Sequence, residues 1–300
     1  MKKYIALLLA LCMIFALCAC GAAESTTSAE ETTSSVSDDG EEYTGFDLEL
    51  AQAVCDIYGW ELKKQPIDWD SKDMELNSGA IDCIWNGFTM TGREKNYTWS
   101  DAYLANSIVM MTRSDTGIKT LKDLEGKRIV TQAGSSALDA LTKGEAVDLA
   151  KTFDSLEEVP DYNTAVLGLD SGLYDAVAID IGVARHFLNG GRADGADTSI
   201  DVSYLVLDEA ISTEQYGIGF KKGNKELRDA ILAGVYQLLA DGTLEKIAAK
   251  PEYKLSDMLC LDEANAIEFD MDSASAEMKA RTTLTVGFDA EYPPFGYRVK

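Results

Sequence analysis

Two stretches of this chain read alike. Leu76-Asn-Ser-Gly-Ala-Ile-Asp-Cys-Ile84 and Leu169-Asp-Ser-Gly-Leu-Tyr-Asp-Ala-Val177 share the pattern Leu-Asn/Asp-Ser-Gly-x-x-Asp-x-apolar. Each describes a helix end, a glycine cap and the start of a buried strand. Their separation is too long for a solenoid repeat and suits two similar lobes instead. Ligands of open α/β sheets collect at the carboxyl ends of the strands. The residues just past each copy are therefore the first candidates for a site: Asn86 to Arg93 in one lobe and Asp180 in the other.

The surrounding pattern supports an α/β protein. A helix is expected over 45–58, with Phe46, Leu50, Val54 and Tyr58 repeating every four residues up to Gly59. Strands are expected at 60–67, 81–85 and 106–112, with a short helix at 70–77. After Gly117 come strands at 128–131, near 152, at 174–179, 202–206 and 216–220, with helices opening at Ser135, Asn163 and Asp180. Asn224 is placed to cap a long helix whose stripe is Leu227, Ile231, Val235 and Leu238. At the end of the chain, Leu284, Val286 and Phe288 alternate as in a half-buried strand, which must stop by Pro293-Pro294. Asp289, Tyr292 and Phe295 then form a loop of one acid and two rings, suited to the mouth of a pocket for a small, partly apolar, partly cationic molecule.

The beginning reads as an address. Met1-Lys-Lys precedes a run from Tyr4 to Leu17 that is apolar but short for a membrane span, as in a secretory signal. Leu17-Cys18-Ala19-Cys20-Gly21 resembles the bacterial lipobox and marks Cys20 for lipidation. Residues 21–42 are Ser, Thr, Ala, Asp and Glu with little that could be buried, as in a tether. The formal net charge of −24 makes nucleic acid and anionic lipid poor partners. Of six cysteines, Cys55, Cys83 and Cys260 remain after the leader and Cys20, enough for one disulfide of undetermined pairing. No spacing of Cys or His indicates a metal, and no motif calls for a cofactor.

The candidates combine into a trap for a zwitterion. Gly87-Phe88-Thr89-Met90-Thr91-Gly92 is a turn that exposes backbone N–H groups, and Arg93 behind it can clamp a carboxylate with two parallel hydrogen bonds. Gly134-Ser135-Ser136 offers more N–H groups at a helix start. Asp180 supplies the opposite charge for an ammonium. Tyr292, Phe295 and Phe88, with Trp85 as a further candidate, supply aromatic walls. Taken singly, Arg93 also suits a surface ion pair, and Ser135 and Asp180 suit helix caps.

The chain thereby resembles the extracytoplasmic solute-binding proteins of polar amino-acid ABC importers, the two-lobed periplasmic binding fold (type II) of the lysine/histidine/glutamine kind. The resemblance rests on Gly45-Phe-Asp-Leu, Ser78-Gly-x-Ile-Asp, Phe88-Thr-Met-Thr with Arg93, Trp99-Ser-x-x-Tyr103, Leu121 to Thr131 with Gly134-Ser-Ser, Asp175-Ala-Val-Ala-Ile-Asp180, Tyr216-Gly-Ile-Gly-Phe, and Val286-Gly-Phe-Asp-x-x-Tyr-Pro-Pro-Phe295. It implies a free amino acid as ligand and permease subunits as partners. It implies Arg93, Thr89 and Ser136 on the α-carboxylate, Asp180 on the α-ammonium, and Asp289 and Tyr292 beside the ligand's side chain. The family has two residues between its Thr and its Arg where this chain has only Gly92.

The order of parts departs from the family, in which the Tyr-Pro-Pro-Phe strand comes first. Here it comes last, as in a circular permutation cut at a hairpin tip. The expected divisions are a signal at 1–19, a disordered tether at 20–40, lobe one at 41–111, 212–260 and 283–300, lobe two at 112–211, and a linker at 261–282. The last strand docks onto its own molecule in this reading, giving a monomer held to the membrane by its lipid; exchange with a neighbour is the alternative. Two rival functions share the scaffold: a dehydratase-like enzyme, for which His186 is the only histidine, and a sensor lipoprotein that transports nothing.

Overall fold

The computed structural model describes residues 40–197, 199 and 202–299. The signal at 1–19, Cys20 and the tether up to residue 39 lie outside the described residues. The first helix, Phe46–Tyr58, buries Phe46, Leu50 and Val54 as its stripe requires, and Gly59 ends it in the left-handed conformation. Its other end is joined to the far terminus of the chain. The amides of Phe46 and Asp47 donate to the carbonyls of Pro294 (2.8 Å) and Phe295 (3.1 Å), satisfying donors that a helix leaves open at its start. Gly45 makes this approach feasible: at φ 141°, a Cβ there would lie 2.2 Å from the Phe295 oxygen.

Two sheets form the framework. The first runs in the order Glu61–Pro66, Thr283–Phe288, Cys83–Ile84, Gly219–Phe220, Thr98–Trp99. The C-terminal strand is thus internal, parallel to both neighbours, with Val286 opposite Lys64 on one side and Cys83 on the other. Leu284, Val286 and Phe288 are fully buried, as the alternation predicts. The strand pairs within its own chain, and Tyr43–Thr44 pairs antiparallel with Gly296–Arg298 in a small three-stranded sheet.

The second sheet runs Ser212–Tyr216, Leu104–Arg113, Ala176–Asp180, Arg128–Gln132, Ser155–Val159, with Tyr204–Val206 also on Leu104–Arg113. This membership corrects the divisions expected at 111/112 and 211/212. Leu104–Arg113 and Ser212–Tyr216 pair with each other and lie wholly in the second sheet, so the chain changes sheets before Leu104 and after Tyr216. The single strand expected over 216–220 is likewise two strands in two sheets. Gly217 stands at the break, where a Cβ would meet the Met90 sulfur at 2.4 Å. An apolar run of this length is the same whether it continues in one sheet or crosses to another.

Further differences are local. Residues 261–282 are a docked strap rather than a bare linker: Ala276–Lys279 is a helical turn with Met278 buried, and the Ser275 amide donates to Glu226 at 2.6 Å. The helix Lys225–Ala240 buries its predicted stripe, but Asn224 precedes it without a side-chain capping bond. Cys55, Cys83 and Cys260 are free thiols, the first two buried.

Candidate functional site

The carboxyl ends of the strands from both sheets converge on one cleft. Cys83–Ile84 leads into Asn86 and Gly87, Arg128–Gln132 leads into Ser135 and Ser136, and Ala176–Asp180 ends on Asp180 itself. The cleft is lined by Trp69, Asn86, Gly87, Thr89, Arg93 and Tyr292 from one side and Gln132, Ser135, Ser136 and Asp180 from the other. It encloses about 10 Å³, room for one water at most, so a larger guest requires the two sides to part.

Gly87 is held from beneath. Its N–H donates to the Asp47 carboxylate at 2.5 Å, and Tyr103 donates to the other Asp47 oxygen at 2.8 Å. Burial pushes the Asp47 carboxyl up to about 7, against the pull of those hydrogen bonds. At φ 53°, a Cβ on Gly87 would meet the rings of Tyr292 at 2.9 Å and Tyr216 at 3.0 Å, so the loop needs glycine there.

Eight of the eleven residues expected at the site line the cleft: Asn86, Gly87, Thr89, Arg93, Ser135, Ser136, Asp180 and Tyr292. Three do not. Phe88 is turned into a cluster with Trp69 and Trp99 and forms a shelf under Arg93, whose guanidinium lies 5.7 Å from its ring centre. Phe295 stacks behind Tyr292 at 5.3 Å and edge-on to Tyr216 at 5.5 Å. Asp289 is buried and accepts from Gln132 of the opposite side at 2.5 Å. Burial raises its carboxyl to about 7, while the Glu291 amide and Gln132 oppose the shift. Trp85 is fully buried and does not line the cleft either. Phe88, Phe295 and Trp85 thus pack in the layer behind the cleft, whereas Asp289 reaches Gln132 on the opposite side.

The single-residue alternatives resolve differently for each residue. Ser135 does cap its helix, accepting from Leu138 at 3.1 Å. Arg93 pairs with Asp139 at 3.2 Å and reaches the Gly134 carbonyl at 3.4 Å, both across the cleft. Asp180 stands at the N-cap position yet makes no capping bond. Its carboxylate accepts from Asn106 at 2.7 Å, from Tyr162 at 3.1 Å and from the Tyr216 hydroxyl.

Several residues were missed. Glu214 is buried, and its Oε1 accepts from Asn106 at 2.7 Å, Thr89 at 3.1 Å and Ser136 at 3.3 Å. Burial, with the charge of Asp180 added, pushes its carboxyl well above the usual carboxylate range. Gln132 and Trp69 were also missed. Lys72 sits nearby, donating to the Trp69 and Gly134 carbonyls, and burial followed by Arg93's charge lowers its ammonium to about 8. Glu214 lies in Ser-Thr-Glu-Gln-Tyr, which reads as a solvent-facing strand, so nothing local distinguishes it. Chemically, the cleft sets a guanidinium, two hydroxyls and helix-start amides against a buried acid, with an indole and a phenol between them.

Comparison with known proteins yields a consistent set. The chain matches the bacterial extracellular solute-binding proteins, family 3, over residues 26–250. It is 30% identical over 262 residues to the arginine-binding extracellular protein ArtP of Bacillus subtilis (strain 168), covering 83% of this chain and 98% of ArtP. It is 29% identical to the L-cystine-binding protein TcyJ of Escherichia coli (strain K12), covering 71% of this chain and 75% of TcyJ. Among solved structures it resembles an ABC uptake transporter substrate binding protein from Streptococcus pneumoniae with bound histidine. The TM-score is 0.63 at 32% identity, over 71% of this chain and 84% of that one.

Proposed function

The chain belongs to the bacterial extracellular solute-binding proteins, family 3, and from that premise we propose that its cleft takes a free amino acid by both of its charged ends. The fold is the two-lobed α/β type II periplasmic-binding-protein fold, and the protein binds an amino acid outside the cytoplasm for delivery to an ABC-type permease. Its relatives are binding proteins rather than enzymes.

The finer assignment runs from the geometry. The α-carboxylate exchanges for Asp139 on Arg93 and takes hydrogen bonds from Thr89 and Ser136. The α-ammonium docks on Asp180. Tyr292 and Trp69 flank the ligand's side chain, and Gln132, braced by Asp289, borders it. The observation that carries this reading is that Asp180, 2% exposed, has no Lys or Arg partner among the described residues and faces Arg93 across one cleft. A buried carboxylate costs several kcal/mol without a cation, and an ammonium supplies one.

In the same reading Cys20 carries the lipid, residues 20–40 are the tether, and the C-terminal strand is the fold's opening strand in a permuted, monomeric chain. A thermal-shift screen of the twenty amino acids, cystine and ornithine tests the function. At least one should raise the midpoint by several degrees; a flat response to all of them rejects it.

A further inference from the structure

Asp180 is not the only buried acid at the cleft. Glu214 is tied to it through one Asn106 amide nitrogen, which donates to both carboxyls, 2.7 Å to each. Both acids are buried. Among the described residues neither has a cationic partner: Arg93 is held by Asp139, and Arg185, which borders Glu214 on its outer side, is held by Asp257 through two bonds of 2.9 Å. The other titratable groups facing the pair are phenols, Tyr216 from Glu214's own strand, Tyr292 from the C-terminal loop and Tyr162 from the helix Tyr162–Asp170. None of these is a cation. Two carboxyls bridged by one amide nitrogen, shielded from water and without a counter-ion, each disfavour a second negative charge beside them.

We propose that Glu214 positions the ligand's ammonium through Asp180: the two acids hold one proton between them while the cleft is closed on itself, and the ammonium of an entering amino acid displaces that proton to solvent. The step balances, since the seat loses H⁺ and gains R–NH₃⁺. It also serves the other end of the ligand. Thr89 and Ser136 spend their hydroxyl protons on Glu214, and both line the cleft. Once Glu214 turns toward the incoming positive charge, those hydroxyls are released to face the ligand's carboxylate. Binding at the two ends is thereby linked through one side chain. The inference rests on the amino-acid reading given above.

Calorimetric titration decides it, with L-arginine, L-glutamine and L-cystine as probes, each in phosphate and in Tris at pH 7. The expected result is a buffer-dependent heat corresponding to about one proton released per amino acid bound. Affinity should rise by up to about tenfold per unit of pH between pH 6 and 8. Glu214→Gln keeps the size and the hydrogen bonds but cannot ionise, so it should still bind, release no proton and show a flat pH profile. Binding without proton release in the parent overturns the role of Glu214 and leaves the amino-acid function standing. If none of the three probes binds, the functional reading falls and the role of Glu214 falls with it.

Discussion

The amide of Phe46 donates to the carbonyl of Pro294 at 2.8 Å, so the first turn of the first described helix is completed by the last turn of the chain. That contact passes over Gly45, where a side chain would occupy the place of the Phe295 carbonyl. Gly45→Ala should therefore cost about 3 kcal/mol or more, combining an unfavourable backbone region with a clash. Gly59→Ala is the control: it is also at positive φ, but with open space around it, and should cost about 1 kcal/mol. Urea unfolding of both variants measures the difference, and equal losses would refute the steric account.

Arg93 reaches across the cleft to Asp139, which is 39% exposed. Such a pair is weak in water, so a ligand carboxylate can replace it. Arg93→Ala should weaken amino-acid binding by about 3 to 5 kcal/mol, because it leaves a buried carboxylate without its cation. Asp139→Ala should leave affinity unchanged or tighten it. Calorimetry on the two variants checks the assignment; unchanged affinity in Arg93→Ala removes Arg93 from the site.

Stability should depend on pH in the sense opposite to that of a protein held by ion pairs. Asp47 and Asp289 titrate near 7 when folded, because both are buried, and near 4 when unfolded. Between those values the folded state binds more protons, so stability falls as pH rises from about 4 to 7. The depressed carboxylates such as Asp175, held down chiefly by Arg128, act below that window. The ligand-free protein should melt about 10 to 20 °C lower at pH 8 than at pH 5, equivalent to up to about 5 kcal/mol from the two groups together. Asp47→Asn should flatten the slope; a midpoint that rises over this range contradicts the burial argument.

The thiols offer a simple check of packing. Burial pushes the Cys55 thiol up to about 12 and Cys83 well above the ordinary range, while Cys260 is only half-buried. Of the three thiols among the described residues, a maleimide at pH 7.5 should label Cys260 alone in the folded protein, and all three once it is denatured. Labelling of Cys55 under native conditions would show that the helix Phe46–Tyr58 opens, and labelling of Cys83 that the first sheet does.

Hydrophobic period and glycine placement were enough to locate the helix at 46–58, the long helix at 225–240 and the buried strand at 283–288, because these signals report which face of an element avoids water. The same reasoning reached Arg93, Asp180 and Thr89, since strand ends are where an α/β chain leaves polar groups to converge. It could not reach Glu214, Asn106 or Gln132. Their polarity looks like an ordinary solvated face until the strands Ser212–Tyr216, Leu104–Arg113, Ala176–Asp180 and Arg128–Gln132 are set side by side in the second sheet. It also gave Phe88 and Phe295 to the cleft, which they support from behind, and Asp289, which is engaged by Gln132 instead. Period fixes whether a side chain is buried, but the order and crossing of the sheets decide what it is buried against, and that order is set by contacts between residues far apart in the chain.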